Sequence, residues 1–310
     1  MNKKTFFYSI FLLLLTLSLI FTQTKPSFKK SLNRQKPISE NEMASYPEKP
    51  FVIVIPSYNN ALFYERNLRS VFDQDYHNFR VIYIDDCSTD DTYQKVRDLL
   101  DKSSIKDRVT LVRNEKNQGA MANFYRTIHS CNNDEIIVIL DGDDWFAHES
   151  VLKKLNSYYA NPNIWMTYGS YLEYPEYHRG ACAQKIPKKV LLEHGVRSYD
   201  KKGFIFSHVR TFYAGLFKKI KKVDFLYEGN FFEAACDVAM MIPMAELAGE
   251  HVCFVKDILY IYNIRNPISD NKIKQEKQIS LTSYVRSLPP YQPLKNLSSL
   301  NNLADGHEGE

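Results

Sequence analysis

Apolar runs and polar breaks alternate from residue 51 onward with the spacing of strands and helices. Phe51-Val52-Ile53-Val54-Ile55 contains no polar residue and is closed by Pro56. A β-branched run without alternation suits a strand covered on both faces, as in a parallel α/β sheet. Ala61 to Phe72 places Leu62, Leu68, Val71 and Phe72 at helical spacing. The pattern repeats, predicting strands over Phe79–Ile84, Val109–Val112 and Glu135–Leu140 and helices over Thr89–Leu100 and Gly119–Cys131. Asp90 and Asp91 stand in the first turn of the Thr89 helix, where negative charge suits the helix dipole. This βαβαβαβ order predicts a right-handed, doubly wound, mostly parallel α/β sheet flanked by helices.

Past Trp145 the pattern loosens. A helix is expected over Ser150–Tyr159 and short strands over Ile164–Tyr168, Val252–Val255 and Ile258–Tyr262. Glu233–Leu247 reads as a helix that Pro243 should kink or interrupt, with Gly249 as its C-cap. Tyr171 to Ser207 is irregular and rich in Tyr, Lys and Pro, and the chain turns polar from about Asn271.

The N-terminus differs in kind. Thr5–Thr22 is uncharged and dominated by Phe, Leu and Ile. As a helix it would extend about 27 Å, close to the thickness of a bilayer core. Bulky Leu19-Ile20-Phe21-Thr22-Gln23 lacks a small-residue cleavage site, so residues 1–22 are expected to be a retained anchor, the alternative being export through a cleaved signal peptide. Lys25, Lys29, Lys30, Arg34 and Lys36 outweigh Lys3 and Lys4, which by the positive-inside rule puts the following domain in the cytoplasm. Residues 23–50, basic and carrying Pro26, Pro37, Pro47 and Pro50, read as a linker. The expected division beyond it is a core over 51–170, an acceptor-side part over 171–270 and a polar tail over 271–310.

Charge sharpens this picture. The net charge of +4 comes from residues 1–50, with eight Lys or Arg against three Asp or Glu. The remainder carries 32 against 33 and is near neutral, which argues against a nucleic-acid binder. Five scattered cysteines with no C-x-x-C spacing suit a reduced compartment and buried thiols.

The chemistry gathers at strand ends. Asp141-Gly142-Asp143-Asp144 follows the fourth predicted strand, Asp85-Asp86-Cys87-Ser88-Thr89-Asp90 the second, and Pro56-Ser57-Tyr58-Asn59 the first. In a parallel sheet these ends share one rim, where ligands of open α/β sheets bind. Three carboxylates within four positions repel one another unless a cation joins them, and hard divalent ions such as Mg²⁺ or Mn²⁺ favour carboxylate oxygen.

These segments, together with Asn117-Gln118-Gly119, resemble family 2 glycosyltransferases, well over about residues 51–170 and loosely over 205–265. The resemblance implies a GT-A fold and an inverting, metal-dependent transfer from a nucleotide sugar, a UDP-sugar by preference, as in hexosyl- or N-acetylhexosaminyltransferases. It implies that Pro56, Tyr58 and Asn59 lie beside the base and ribose and that one of Asp85 and Asp86 bonds the base. Asp141 would approach the ribose or the metal. Asp143 and Asp144 would hold the cation on the diphosphate, and Asn117 and Gly119 would let their loop pass close to the donor. The family's base is a downstream acid. Asp237 is the first choice and Glu233 the second, although Cys236 stands where the family has Glu. Arg265 would reach the diphosphate by charge complementarity. His208, Arg210 and Thr211 read as structural, with an acceptor role as the alternative. The expected acceptor is a glycan or lipid-linked saccharide near the membrane. The rival readings are a nucleotidyltransferase, which would want a Gly-rich basic loop near the first strand, and an inactive glycan-binding protein that retains the fold.

Overall fold

The computed structural model describes residues 45–300 apart from 181–183, 194 and 200–204. The expected N-terminal anchor, most of the linker, the end of the tail and Cys182 lie outside the described residues. Among the described residues no helix is long and apolar enough to cross a membrane.

The chain runs β1 (Phe51–Ser57), α1 (Tyr64–Phe72), β2 (Phe79–Asp85), α2 (Thr92–Leu100), β3 (Val109–Arg113), α3 (Ala120–His129) and β4 (Ile136–Ile139). These follow the expected order, since continuous apolar runs have only one stable place, the middle of a covered sheet. Every residue of β1 is buried except Pro56, and all of β4 is buried. β1 pairs in parallel with both β2 and β4, and β2 with β3.

Then come β5 (Trp145–Phe146), α4 (Val151–Tyr159), β6 (Met166–Tyr174), β7 (His178–Arg179), α5 (Lys188–Leu192), α6 (Val196–Tyr199), β8 (Arg210–Tyr213) and α7 (Ala214–Phe217). They are followed by β9 (Leu226–Tyr227), β10 (Asn230–Phe231), α8 (Cys236–Ala248), β11 (Val252–Asn263), α9 (Asp270–Ile273) and α10 (Gln275–Ser287). Among the described residues the main sheet has nine strands in the order β3-β2-β1-β4-β8-β6-β11-β5, with β7 beside β6. It is mixed: β8 is antiparallel to both β4 and β6, β6 and β11 are parallel, and β5 is antiparallel to β11. β9 and β10 form a separate hairpin.

Three features depart from the sequence expectation. Arg210-Thr211-Phe212-Tyr213 is a fully buried strand despite its polar start. Thr211 satisfies its hydroxyl against Tyr159 at 2.8 Å and Thr167 at 2.7 Å, which lets a polar residue sit inside the sheet. The two expected strands after residue 252 are one long strand, with register irregularities between Phe254 and Tyr260. Pro243 does not interrupt α8, which continues to Ala248. Val238 to Ala248 are all buried, so packing on every side offsets the hydrogen bond that proline removes.

Candidate active site

Parallel pairing brings the three acid-bearing strand ends together. Ser57 lies in register with Asp85, Asp86 N–H donates to Ser57 O at 2.8 Å, and Gly142 N–H donates to Pro56 O at 3.1 Å. Gly142 has no room for a side chain: a Cβ would stand 2.7 Å from Asn60 Nδ2 and 2.9 Å from Pro56 O. The glycine between the two aspartates therefore lets the acidic turn lie against the end of β1. A cavity of about 300 Å³ opens above this rim, and Pro56, Tyr58, Asp86, Asp141, Asp143 and Asp237 line it.

The acidic turn is held from two distant places. Asn67 sits among the buried residues of α1, and its Nδ2 donates to Asp141 O at 2.9 Å and Asp144 O at 2.8 Å. A polar residue on the buried face of an amphipathic helix was the one signal of this clamp in the sequence. From β11, Asn263 N–H donates to Asp144 Oδ1 at 2.7 Å, and the Tyr260 hydroxyl donates to Asp144 Oδ2 at 2.7 Å. Just past β11, Asn266 Nδ2 donates to Asp143 Oδ2 at 2.7 Å. Nothing local in the sequence pointed to Tyr260, Asn263 or Asn266.

Asp144 is fully buried, and its pKa is driven well above the usual carboxylate range by that burial and by the charges of Asp143 and Asp141. His208 faces the same cluster, its Nδ1 4.0 Å from Asp141 Oδ2. It stacks on Tyr260, with ring centroids 4.3 Å apart. Burial, and then Arg210, holds its pKa well below the ordinary histidine value, so the ring is neutral. Its Nδ1 is buried and, among the described residues, has no hydrogen-bond partner. One ligand atom each from Asp141, Asp144 and His208 fall within 4.8 Å of one another. A neutral imidazole with an orphaned nitrogen beside two carboxylates fits a divalent cation.

The remaining residues singled out in the sequence fall into place as follows. Asp86 lines the cavity, and its oxygens accept from Asn114 Nδ2 (2.6 Å), Gln118 N–H (2.9 Å) and Gly119 N–H (2.8 Å). Gly119, at φ +82°, and Asn117 also line the cavity. Asp85 is fully buried below the rim, near Arg113 at 3.6 Å. Asn59 is not in the cavity lining. At φ 54° it fastens the β1 loop to the β2 loop, its Oδ1 accepting from Thr89 N–H at 2.8 Å. Arg265 lies outside the lining, whereas Lys274 is within it. Glu233 is exposed and paired with Lys277, outside the lining but next to it, its carbonyl accepting from the lining residue Lys274 at 3.0 Å. Asp237 is in the lining, near the start of α8, with Val238 N–H donating to Oδ1 at 2.9 Å and Arg210 Nη2 to Oδ2 at 3.0 Å. Burial works against the charge of Arg210, but Asp237 and Asp141 prevail and hold its pKa above the usual arginine value.

A family model, glycosyl transferase family 2, matches residues 52–220. An uncharacterized glycosyltransferase of Haemophilus influenzae is 33% identical over 119 residues, which is 38% of this chain and 46% of that protein. The Escherichia coli UDP-Glc:alpha-D-GlcNAc-diphosphoundecaprenol beta-1,3-glucosyltransferase WfgD is 33% identical over 120 residues, 38% of this chain and 44% of that protein. The chain thus spans less than half the length of both relatives. Among solved structures, mannosyltransferase PcManGT from Pyrobaculum calidifontis in complex with GDP-Man and Mn²⁺ superposes with a TM-score of 0.56 at 16% identity, over 81% of this chain and 71% of that one, a likeness of fold.

Proposed function

The chain belongs to glycosyl transferase family 2 and has a GT-A fold, and on that footing we propose that it transfers a sugar, with inversion, from a nucleotide-activated donor to a hydroxyl acceptor. The observation that carries this reading is a single cavity lined by both the acidic strand ends and Asp237. Pro56, Tyr58 and Asp86, with Asn117 and Gly119, receive the nucleoside. Asp141, Asp144 and His208 hold a divalent cation, with Asp143 beside them. Two carboxylates and an imidazole suit Mn²⁺ better than Mg²⁺, which favours oxygen throughout. When bound, that ion supplies positive charge to the departing diphosphate. Asp237 accepts the acceptor hydroxyl's proton as the oxygen attacks the anomeric carbon from the face opposite the diphosphate. Tyr260 stays protonated, since burial and then Asp141 and Asp144 raise its pKa well above the ordinary value, and it orients Asp144.

The name of WfgD favours a UDP-sugar donor and a lipid-linked saccharide acceptor, and we propose that class, with any hydroxyl-bearing glycan as the broader alternative. Incubation with a panel of UDP- and GDP-sugars and Mn²⁺, without acceptor, tests the reading through nucleoside diphosphate release. One preferred donor whose turnover stops on chelation is expected. Metal-independent release, or none with any donor that binds, would reject it.

A further inference from the structure

We propose that Arg210 is a positioning residue that fixes Asp237 in the orientation from which it takes a proton; this rests on Asp237 being the base. Arg210 is the first residue of β8, in register with Ile139, two residues before Asp141. Its guanidinium is buried, with Nε donating to Phe206 O at 3.0 Å and Nη2 to Asp237 Oδ2 at 3.0 Å, the same Nη2 lying 3.5 Å from His208 Nε2. The first bond ties the planar fork to the backbone preceding β8, and the second aims it at the first turn of α8. Both contacts are needed to define the plane of the fork, and a lysine could make only one of them well.

Asp237 needs such a support. Its Oδ1 accepts from Val238 N–H at 2.9 Å, a bond to its own neighbour that does not determine where the carboxylate points in the cavity. The residue before the helix, Ala235, has φ +56°, so α8 begins from a left-handed turn without a side-chain cap. With Arg210 on the other oxygen, the carboxylate is gripped at both atoms. An ionised carboxylate has about four acceptor positions, so each oxygen keeps capacity for an incoming hydroxyl. Asp237 is the more exposed of the two and both line the cavity, so the support stands beside the base at the site itself. Without this grip, an error of about 1 Å in the base costs roughly 10²-fold in rate.

The pair could instead serve only to staple β8 to α8, so the test must separate positioning from architecture. Release of UDP from UDP-glucose and UDP-N-acetylglucosamine with Mn²⁺, where water replaces the acceptor, provides a rate without knowledge of the acceptor. It would be measured for Arg210→Gln, Arg210→Lys, Asp237→Asn and the double variant Arg210→Gln/Asp237→Asn, alongside calorimetric UDP affinity. At saturating Mn²⁺ we expect Arg210→Gln to lower kcat about 10²-fold with donor KM within about twofold, and Arg210→Lys to recover part of the loss. We also expect Arg210→Gln to have no further effect in the Asp237→Asn background, because the support has nothing left to orient. Additive losses in the double variant, or a raised KM with unchanged kcat, would overturn the positioning role. If Arg210→Gln does not fold, Arg210→Lys and its own double variant with Asp237→Asn decide by the same criterion. Full activity of Asp237→Asn alone would remove the base assignment itself, an outcome read independently of any Arg210 variant.

Discussion

The hydroxyl of Tyr260 donates to Oδ2 of Asp144 at 2.7 Å, across 116 residues of chain. β5 and β11 make this possible: Trp145 pairs with Ile261 and Phe146 with Tyr260, which draws the acidic turn against the long strand. The second oxygen of Asp144 is taken by Asn263 N–H, so the carboxylate is fixed on both sides before any ligand arrives. Fixing it has an electrostatic cost. Asp144 is buried beside Asp143 and Asp141, and a proton relieves that repulsion when no cation does.

The stability of the protein should therefore depend on pH through Asp144. Its folded pKa is raised, so its contribution is fully present below the ordinary carboxyl range, about 4, and is lost as pH rises through the raised value. Thermal melts in chelator should show Tm falling across that window, with Mn²⁺ restoring it increasingly at higher pH. Asp144→Asn should flatten both trends. An identical pH slope in that variant would show that another group carries the effect.

His208→Phe should keep the ring stacked on Tyr260 and remove the nitrogen ligand, together with the 3.5 Å contact between Nε2 and Arg210 Nη2. Because Nδ1 is an orphaned buried polar atom, its loss leaves the fold as stable or more so. Mn²⁺-dependent UDP affinity should fall by at least about tenfold, the scale on which metal sites respond to losing a supporting group. Calorimetry with and without Mn²⁺ checks this, and undiminished metal dependence would exclude His208 as a ligand.

Asp237→Asn should retain UDP and Mn²⁺ binding and lose about 10²–10⁴-fold in turnover, the usual contribution of a general base. Glu233→Gln, which alters an exposed residue paired with Lys277, should leave turnover near that of the parent. The reverse result, with Glu233→Gln inactive and Asp237→Asn active, would exchange the two roles.

Gly142→Ala should damage the site and the fold together. Its Cβ would meet the backbone oxygen of Pro56 at 2.9 Å, an atom that cannot swing aside. A loss of about 1–3 kcal/mol, as for overpacking elsewhere, should appear in denaturant unfolding, accompanied by weaker UDP binding. Parent-like stability with intact binding would mean that the acidic turn can move away from β1 freely.

The parts of the molecule that were legible in the sequence are those whose partners are local. Phe51–Ile55 and Ile136–Ile139 announce buried parallel strands because no other environment suits an unbroken apolar run. The carboxylates of the acidic turn were visible because like charges at a strand end are conspicuous. β8 was not, since Arg210 and Thr211 are polar, and their partners on α8, α4 and β6, distant in sequence, are what allow their burial. His208 looked structural until the fold placed its nitrogen beside Asp141. Asn263 and Asn266 were unreadable for the same reason, as their bonds to Asp144 and Asp143 bridge 119 and 123 residues.

Those long bridges impose an order on translation. The acidic motif leaves the ribosome well over a hundred residues before the strand that grips it. At about 5–20 residues per second, the nascent chain carries the crowded carboxylates for on the order of ten seconds before the strand that fixes Asp144 is made. A nascent chain halted before Tyr260 would hold the backbone of the turn through Asn67 of α1 but would lack the β11 bonds that fix the Asp144 carboxylate.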